Sequence, residues 1–297
     1  MSPIRCFLAI PFLLICSMAL GQTGDAVLMK WKLKPGETIK YKTFIDEKDS
    51  AGSQKISMPF PGKLFGDSTR ADSITNMMAE FFKQMSKVTD HMGYITTLSE
   101  TKKDLIDVEM AMVDSGVKDI VVDTIKLGEA AKGIGAMMSK MRGGVTLRGS
   151  IHEDGTIASF YTKGGQRNLL AGFFELPGRP VRIGDSWSID IHYISMDQSF
   201  KCDSSFRKNN VVVSRIDKKN GDEIVTLQYD IDEFVTGDLV APFGNGPIKT
   251  TMKMTYKAIA EFSIGKGRWL SYDGVMTEAS TGLMDSRVKK QCKLIAE

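Results

Sequence analysis

From 248 to 264 the chain alternates. Ile248, Thr250, Met252, Met254, Tyr256, Ala258, Ala260, Phe262 and Ile264 fall on one side, and Lys249, Thr251, Lys253, Thr255, Lys257, Glu261 and Ser263 on the other. A period of two is the mark of a strand with one buried and one wet face. A strand of this length has a long apolar face to hide, so it demands partners and a sheet that curls, closes or is covered.

The partners are legible as further alternating runs separated by turn signals. Over 30–45, Trp31 and Leu33 and then Ile39, Tyr41, Thr43 and Ile45 alternate with lysines, in two segments broken at Pro35-Gly36. Runs at 94–100 and 105–113 form a hairpin around residues 101–104, and runs at 145–151 and 156–161 form another across Glu153-Asp154-Gly155. Runs at 199–216 and 223–235 meet at Asn220-Gly221, a tight-turn pair. Beyond 264, Gly265-Lys266-Gly267 bends the chain, 268–272 resumes it and Asp273-Gly274 reads as a turn. The runs at 275–283 and 288–295 complete the set.

The stretch 173–194, FFELPGRPVRIGDSWSIDIHYI, is the most sharply specified. Pro177 and Pro180 each hold φ near −65° and lack a backbone donor, so this part is an extended turn or crossover and not a helix. After Gly184-Asp185 the chain alternates again. Trp187, Ile189, Ile191 and Tyr193 oppose Ser188, Asp190 and His192, which predicts a strand over 186–193.

Two stretches change period. Ile74, Met77, Met78, Phe81, Phe82, Met85 and Val88 form one helical stripe, predicting a helix near 69–90. A weaker one near 123–142 carries Ile125, Ala130, Ile134, Met137, Met138 and Met141, with Gly128, Gly133 and Gly135 lowering its propensity. The expected fold class is therefore mainly β (α+β). Long antiparallel strands form a curled sheet or open half-barrel, with two helical insertions over its concave side, in a single domain over 22–297.

Residues 1–21 read as a secretory signal peptide. Arg5 precedes an apolar run over 7–20, and Ala19-Leu20-Gly21 offers a small-x-small cleavage site before Gln22. Ile15 stands before Cys16 where lipid-attachment sites carry a small residue, so a lipid anchor is not expected. No later stretch approaches the ~20 apolar residues of a membrane span. These features predict export to the periplasm or cell surface. Cys6 and Cys16 leave with the signal. Cys202 and Cys292 read as inward-facing strand residues, hence disulfide candidates in an oxidising compartment, with two buried unpaired thiols as the alternative. Lys and Arg number 39 against 36 Asp and Glu, a balance that leaves no nucleic-acid footprint.

Three motifs, LKPGETIKYK at 33–42, ELPGRPVRIGDSWS at 175–188 and GKGRWLSYDG at 265–274, together resemble an uncharacterised family of secreted proteins and lipoproteins of Bacteroidota that is grouped around a domain of unknown function. The resemblance implies export and a β-rich body. It carries no catalytic residues.

Residue chemistry points away from an enzyme. The three histidines, His91, His152 and His192, are scattered, and no zinc, calcium or nucleotide motif occurs, so no metal and no cofactor is expected. Ser188, Asp190 and His192 share one strand face at steps of about 7 Å, too far for the hydrogen bonds of a triad. Asp230, Asp232 and Glu233 resemble a glycosidase carboxylate set, but polar strand faces produce such groups routinely. The unusual feature is methionine, at 18 residues, concentrated on predicted apolar faces, where its flexible thioether adapts to irregular neighbours. The functional expectation is an exported, non-enzymatic protein that binds an apolar small molecule or lipid, or an envelope component. Met77, Met78, Phe81, Phe82, Met85, Met137 and Met138 are its candidate lining. The alternative is an envelope scaffold or protein-interaction module with a solid core, and a hydrolase is the remote third.

Overall fold

The computed structural model describes residues 25–49, 55–56, 91–102, 104–113, 144–162, 172–194, 199–240, 246–282 and 284–297. Their strands are β1 (Thr38–Asp49), β2 (Lys55–Ile56), β3 (His91–Lys102), β4 (Leu105–Val113), β5 (Gly144–Ile151), β6 (Ile157–Thr162), β7 (Ser186–Trp187), β8 (Phe200–Lys219), β9 (Asp222–Val240), β10 (Pro247–Ser263), β11 (Arg268–Thr281) and β12 (Met284–Ala296). All but β2 lie in one open sheet in the order β6-β5-β4-β3-β1-β12-β11-β10-β9-β8-β7, and β2 pairs with the start of β12. Every pairing is antiparallel. The expected mainly-β class and the long antiparallel sheet are what the chain forms. The predicted helices near 69–90 and 123–142 and the predicted signal peptide lie outside the described residues.

The hairpins turn where the sequence signals them. Asn220 and Gly221 take φ of 53° and 80°, the left-handed pair of a two-residue turn matched to strand twist. β10 buries Met254, Tyr256, Ala258, Ala260 and Phe262 while its lysines stay in water.

Residues 172–194 organise the sheet, though not as a strand of it. Helical residues 172–174 lie against the sheet's apolar face, and their three successive carbonyls each accept a hydrogen bond from an aromatic side chain. Tyr272 Oη donates to Gly172 O (3.1 Å), Trp269 Nε1 to Phe173 O (2.5 Å) and Trp31 Nε1 to Phe174 O (2.9 Å). The last carbonyls of a helix have no intrahelical partner, and here each is paired in the core. Trp31, Phe262 and Trp269 meet edge to face around it, at centroid distances of 4.9 to 6.2 Å.

The crossover also forces the curl. Its Leu176 backbone abuts Gly155 in the β5–β6 turn, and Gly184 N donates to Val213 O on β8. From Leu176 to Gly184 the chain reaches at most about 29 Å. Laid flat, the nine strand-to-strand steps from β6 to β8 would span about 43 Å. The sheet must curl around the crossover for both contacts to hold.

Four expectations are corrected. Only Ser186–Trp187 pairs in the ladder, opposite Val212 and Val211, so the strand predicted over 186–193 ends after two residues. The alternating burial persists, with Ile189 and Ile191 inside and Ser188, Asp190 and His192 outside. Side chains replace the ladder there: Asn209 bonds both the N–H and the C=O of Ile189, and Glu175 accepts from Asp190 N. Residues 28–34 are likewise extended without a ladder, joined instead to turns through Trp31 N to Glu153 O and Lys32 N to Gly267 O. Asp273-Gly274 is not a turn, because β11 runs straight through it. The glycine is there because the Tyr256 ring lies on the strand, and an added Cβ would sit 2.6 Å from Tyr256 Oη.

The fourth correction concerns the cysteines. Cys292 is buried as expected, but Cys202 is exposed, and both are free thiols. The register explains why no bridge joins them. The row through Cys292 runs across Gly274, Ala258 and Tyr229 to Val211, so four strand steps and a further nine residues along β8 separate the pair. A disulfide needs Cα atoms within about 7 Å.

Candidate functional site

The two ends of the curled sheet differ. The β3–β4, β5–β6, β8–β9 and β10–β11 turns gather at one end, which the aromatic cluster fills. At the other end the chain leaves β1 after Asp49 and β4 after Val113 for its longest connections.

At that second end a groove of about 420 Å³ opens between Tyr193 and Ile194 on the crossover and Met252, Met254 and Glu278 on the sheet. Register sets what lies beside it. On the inner side Arg207 of β8 stands opposite Glu233 of β9, Glu233 opposite Met254 of β10, and Met254 opposite Glu278 of β11. Lys290 of β12 reaches Glu278 at 3.3 Å. A strand face that is otherwise apolar therefore carries two ion pairs across one end.

Glu233 is the most deeply placed of these charges, 5% exposed. Its Oε2 accepts from Tyr193 N (3.0 Å) and Ile194 N (2.9 Å), and its Oε1 lies 3.5 Å from Arg207 Nε. A buried carboxylate is tolerable only with such partners. Arg207 in turn donates to Ile191 O and approaches His192 Nε2 at 3.3 Å, so one carboxylate and one guanidinium hold 191–194 against the sheet.

Behind the groove lies a tyrosine cluster. Tyr256 Oη donates to Tyr272 Oη (2.7 Å), which donates on to Gly172 O, while the rings of Tyr193 and Tyr229 flank Tyr256. Burial raises the pKa of Tyr41, Tyr193, Tyr229, Tyr256 and Tyr272, and pushes the Cys292 thiol up to about 12. Folded groups that hold their protons more tightly than unfolded ones stabilise fully at low pH and lose that contribution as pH rises. The contribution of these six groups is therefore expected to be level up to about pH 9, where the unfolded thiol ionises. Above that it should fall, by about 1.4 kcal/mol per pH unit for each such group. A spectrophotometric tyrosine titration should show these five of the seven tyrosines ionising together with loss of near-ultraviolet circular dichroism. Independent titration of all seven near pH 10, with the fold intact, would refute it.

The sequence-based candidates separate sharply. Met77, Met78, Phe81, Phe82, Met85, Met137 and Met138 lie outside the described residues. Ser188 Oγ donates to Asn209 O (2.8 Å) and not to a histidine, while His192 Nε2 and Asp190 Oδ1 stand 3.9 Å apart on the surface. Asp230 is on the opposite sheet face from Glu233, held by Lys208 at 2.5 Å and Lys257 at 3.5 Å, and those partners lower its pKa. Among the described residues no cluster of three or more His, Cys, Asp or Glu could hold a metal ion. Glu233, Arg207, Glu278 and Lys290 were not legible as a site. The one available signal was a charge at an in-phase apolar position of β9 and β11.

The groove is thus lined by two methionine thioethers, a tyrosine ring, two serines and two charged residues, Lys253 and Glu278. The chain matches no protein-family model, and comparison with curated proteins and with solved structures returned no match either.

Proposed function

We propose that the protein is an exported, non-enzymatic binder or carrier of an amphiphilic molecule, a lipid or an envelope component of similar chemistry. The observation that supports this reading is the groove at the open end of the curled sheet. Its wall is Met252, Met254 and Tyr193, and the Glu278–Lys290 pair stands at its side. Its volume falls in the ~300–1,000 Å³ range of ligand clefts. The signal-peptide features of 1–21 and the resemblance to secreted proteins and lipoproteins support export to the periplasm or cell surface. Among the described residues no helix is long and apolar enough to cross a membrane.

The test is native mass spectrometry of the protein purified gently from its own envelope fraction, then of the stripped protein with added phospholipid and fatty acid. A stoichiometric adduct is expected, and Met252→Lys should abolish it while far-ultraviolet circular dichroism stays unchanged. A clean mass in both preparations would overturn the carrier reading in favour of an envelope scaffold.

A further inference from the structure

The chain over 189–194 is held to the sheet in two different ways. Ile189 is 3% exposed and Ile191 fully buried, and their backbone is fixed. Asn209 bonds both polar groups of Ile189, Ile191 N donates to Ile189 O (2.8 Å), and Arg207 Nη2 donates to Ile191 O. The bond between residues two apart closes a compact three-residue turn. Beyond it Tyr193 and Ile194 are half-buried and form the crossover wall of the open-end groove. Both of their amides donate to one atom, Glu233 Oε2, at 3.0 and 2.9 Å.

The other oxygen of that carboxylate is the unusual one. Glu233 Oε1 is buried and makes no hydrogen bond, although Arg207 Nε stands 3.5 Å away. A buried acceptor without a donor is costly. Here the donor is present and just out of reach, because Oε2 is turned to the two amides. Once those amides leave, the carboxylate can close on the guanidinium as a charge-assisted pair. Glu233 thus has two sets of donors and satisfies one fully at a time. Loss of the amide bonds is offset by a better ion pair, which is what an element with two arrangements requires.

We infer that Glu233 is a two-position latch on a strap formed by 192–194. Seated, it bonds the amides of Tyr193 and Ile194 and keeps the groove wall in place. Released, it pairs with Arg207, and the strap lifts about the 189–191 turn to admit an amphiphile beside Met252 and Met254. Lifting takes the Tyr193 ring off Tyr256, 6.0 Å away by centroid, and widens the groove toward the tyrosine cluster. What enters rests on the carrier reading of the groove; the latch rests on the hydrogen bonds alone.

Amide hydrogen exchange of the full-length protein, followed by nuclear magnetic resonance, tests the latch with no ligand present. In the parent, Tyr193 and Ile194 should exchange through a small opening whose rate hardly changes in low urea, while ladder-bonded amides of β9 rise steeply. Glu233→Gln keeps the shape and one acceptor oxygen but replaces charge-assisted bonds with neutral ones. It should speed the two amides about tenfold, a 1.4 kcal/mol effect, and leave the β9 ladder unchanged. Asp230→Asn removes a charge from the opposite face of the same strand and should leave Tyr193 and Ile194 as they are. Stopped-flow uptake of parinaric acid, a fluorescent fatty acid, then reads the gate. Glu233→Gln should raise association and dissociation rates together with Kd little changed, whereas a purely structural wall residue would move dissociation alone. Strap amides that follow the urea slope of the core, or that fail to respond to Glu233→Gln, overturn the latch. So does a Gln variant that speeds every β9 amide equally. Selective exchange with unchanged uptake rates overturns the gate. A parent that takes up no fatty acid sinks the carrier reading and the gate with it, and the exchange result still decides the latch.

Discussion

Trp269→Ala is expected to lower the unfolding free energy by about 3–5 kcal/mol, the cost of emptying a large, fully buried aromatic site. The indole fills the centre of the core, 4.9 Å from Phe262 and 5.8 Å from Tyr272 by ring centroid. It is also the partner of a carbonyl with no alternative. Phe173 O belongs to the end of a helix, where carbonyls have no intrahelical partner, and Trp269 Nε1 donates to it. Trp269→Phe separates the two contributions. It keeps most of the ring packing and removes the donor, so it should cost about 1–3 kcal/mol, the penalty of an unsatisfied buried acceptor. Urea unfolding curves of the two variants measure both terms. A Phe variant as stable as the parent would mean that water replaces the indole at Phe173, and the proposed role of the aromatic donors in pinning 172–174 would be wrong.

Gly155→Ala is the second substitution with a large expected effect, about 2–5 kcal/mol. Gly155 closes the β5–β6 turn at φ of 80°, a left-handed conformation that costs an L-residue about 1–2 kcal/mol. The added Cβ would also sit 2.1 Å from Phe174 O and 2.6 Å from Leu176 N, both backbone atoms. No rotamer relieves such an overlap, so the turn and the crossover must part, at a further cost of about 1–3 kcal/mol. Gly36→Ala is the control. Its φ of 75° imposes the same backbone strain, but an added Cβ meets nothing within 4 Å. Thermal unfolding of the pair should place Gly155→Ala well below Gly36→Ala. Equal losses would show that the turn does not bear on the crossover.

Much of the sheet could be read from residue order because strand geometry is local. Alternation in 248–264 needs only a period of two to assign its faces, and Asn220-Gly221 needs only its own φ preferences to turn. The misreadings share a cause. Asp273-Gly274 carries turn chemistry, yet cross-strand packing of Tyr256 uses the glycine as a flat place in a strand. Ser188 to Tyr193 carries strand alternation, yet Asn209, Glu175 and Glu233 take the backbone groups that a ladder would need. In each case a residue distant in sequence outbids the local preference.

Residue order alone therefore settles which segments are extended, which way each faces and where most hairpins close, since these depend on near neighbours. It does not settle which strands lie side by side, how far the sheet curls, or that Cys202 and Cys292 stand strands apart. Those follow from register and from a crossover too short to span a flat sheet. The groove is of the same kind. Arg207, Glu233, Met254, Glu278 and Lys290 come from five strands, and only the stacking of those strands puts them at one end of one face. A charge at an in-phase apolar position looks like an error in a single strand, and becomes a partner when the next strand is laid beside it.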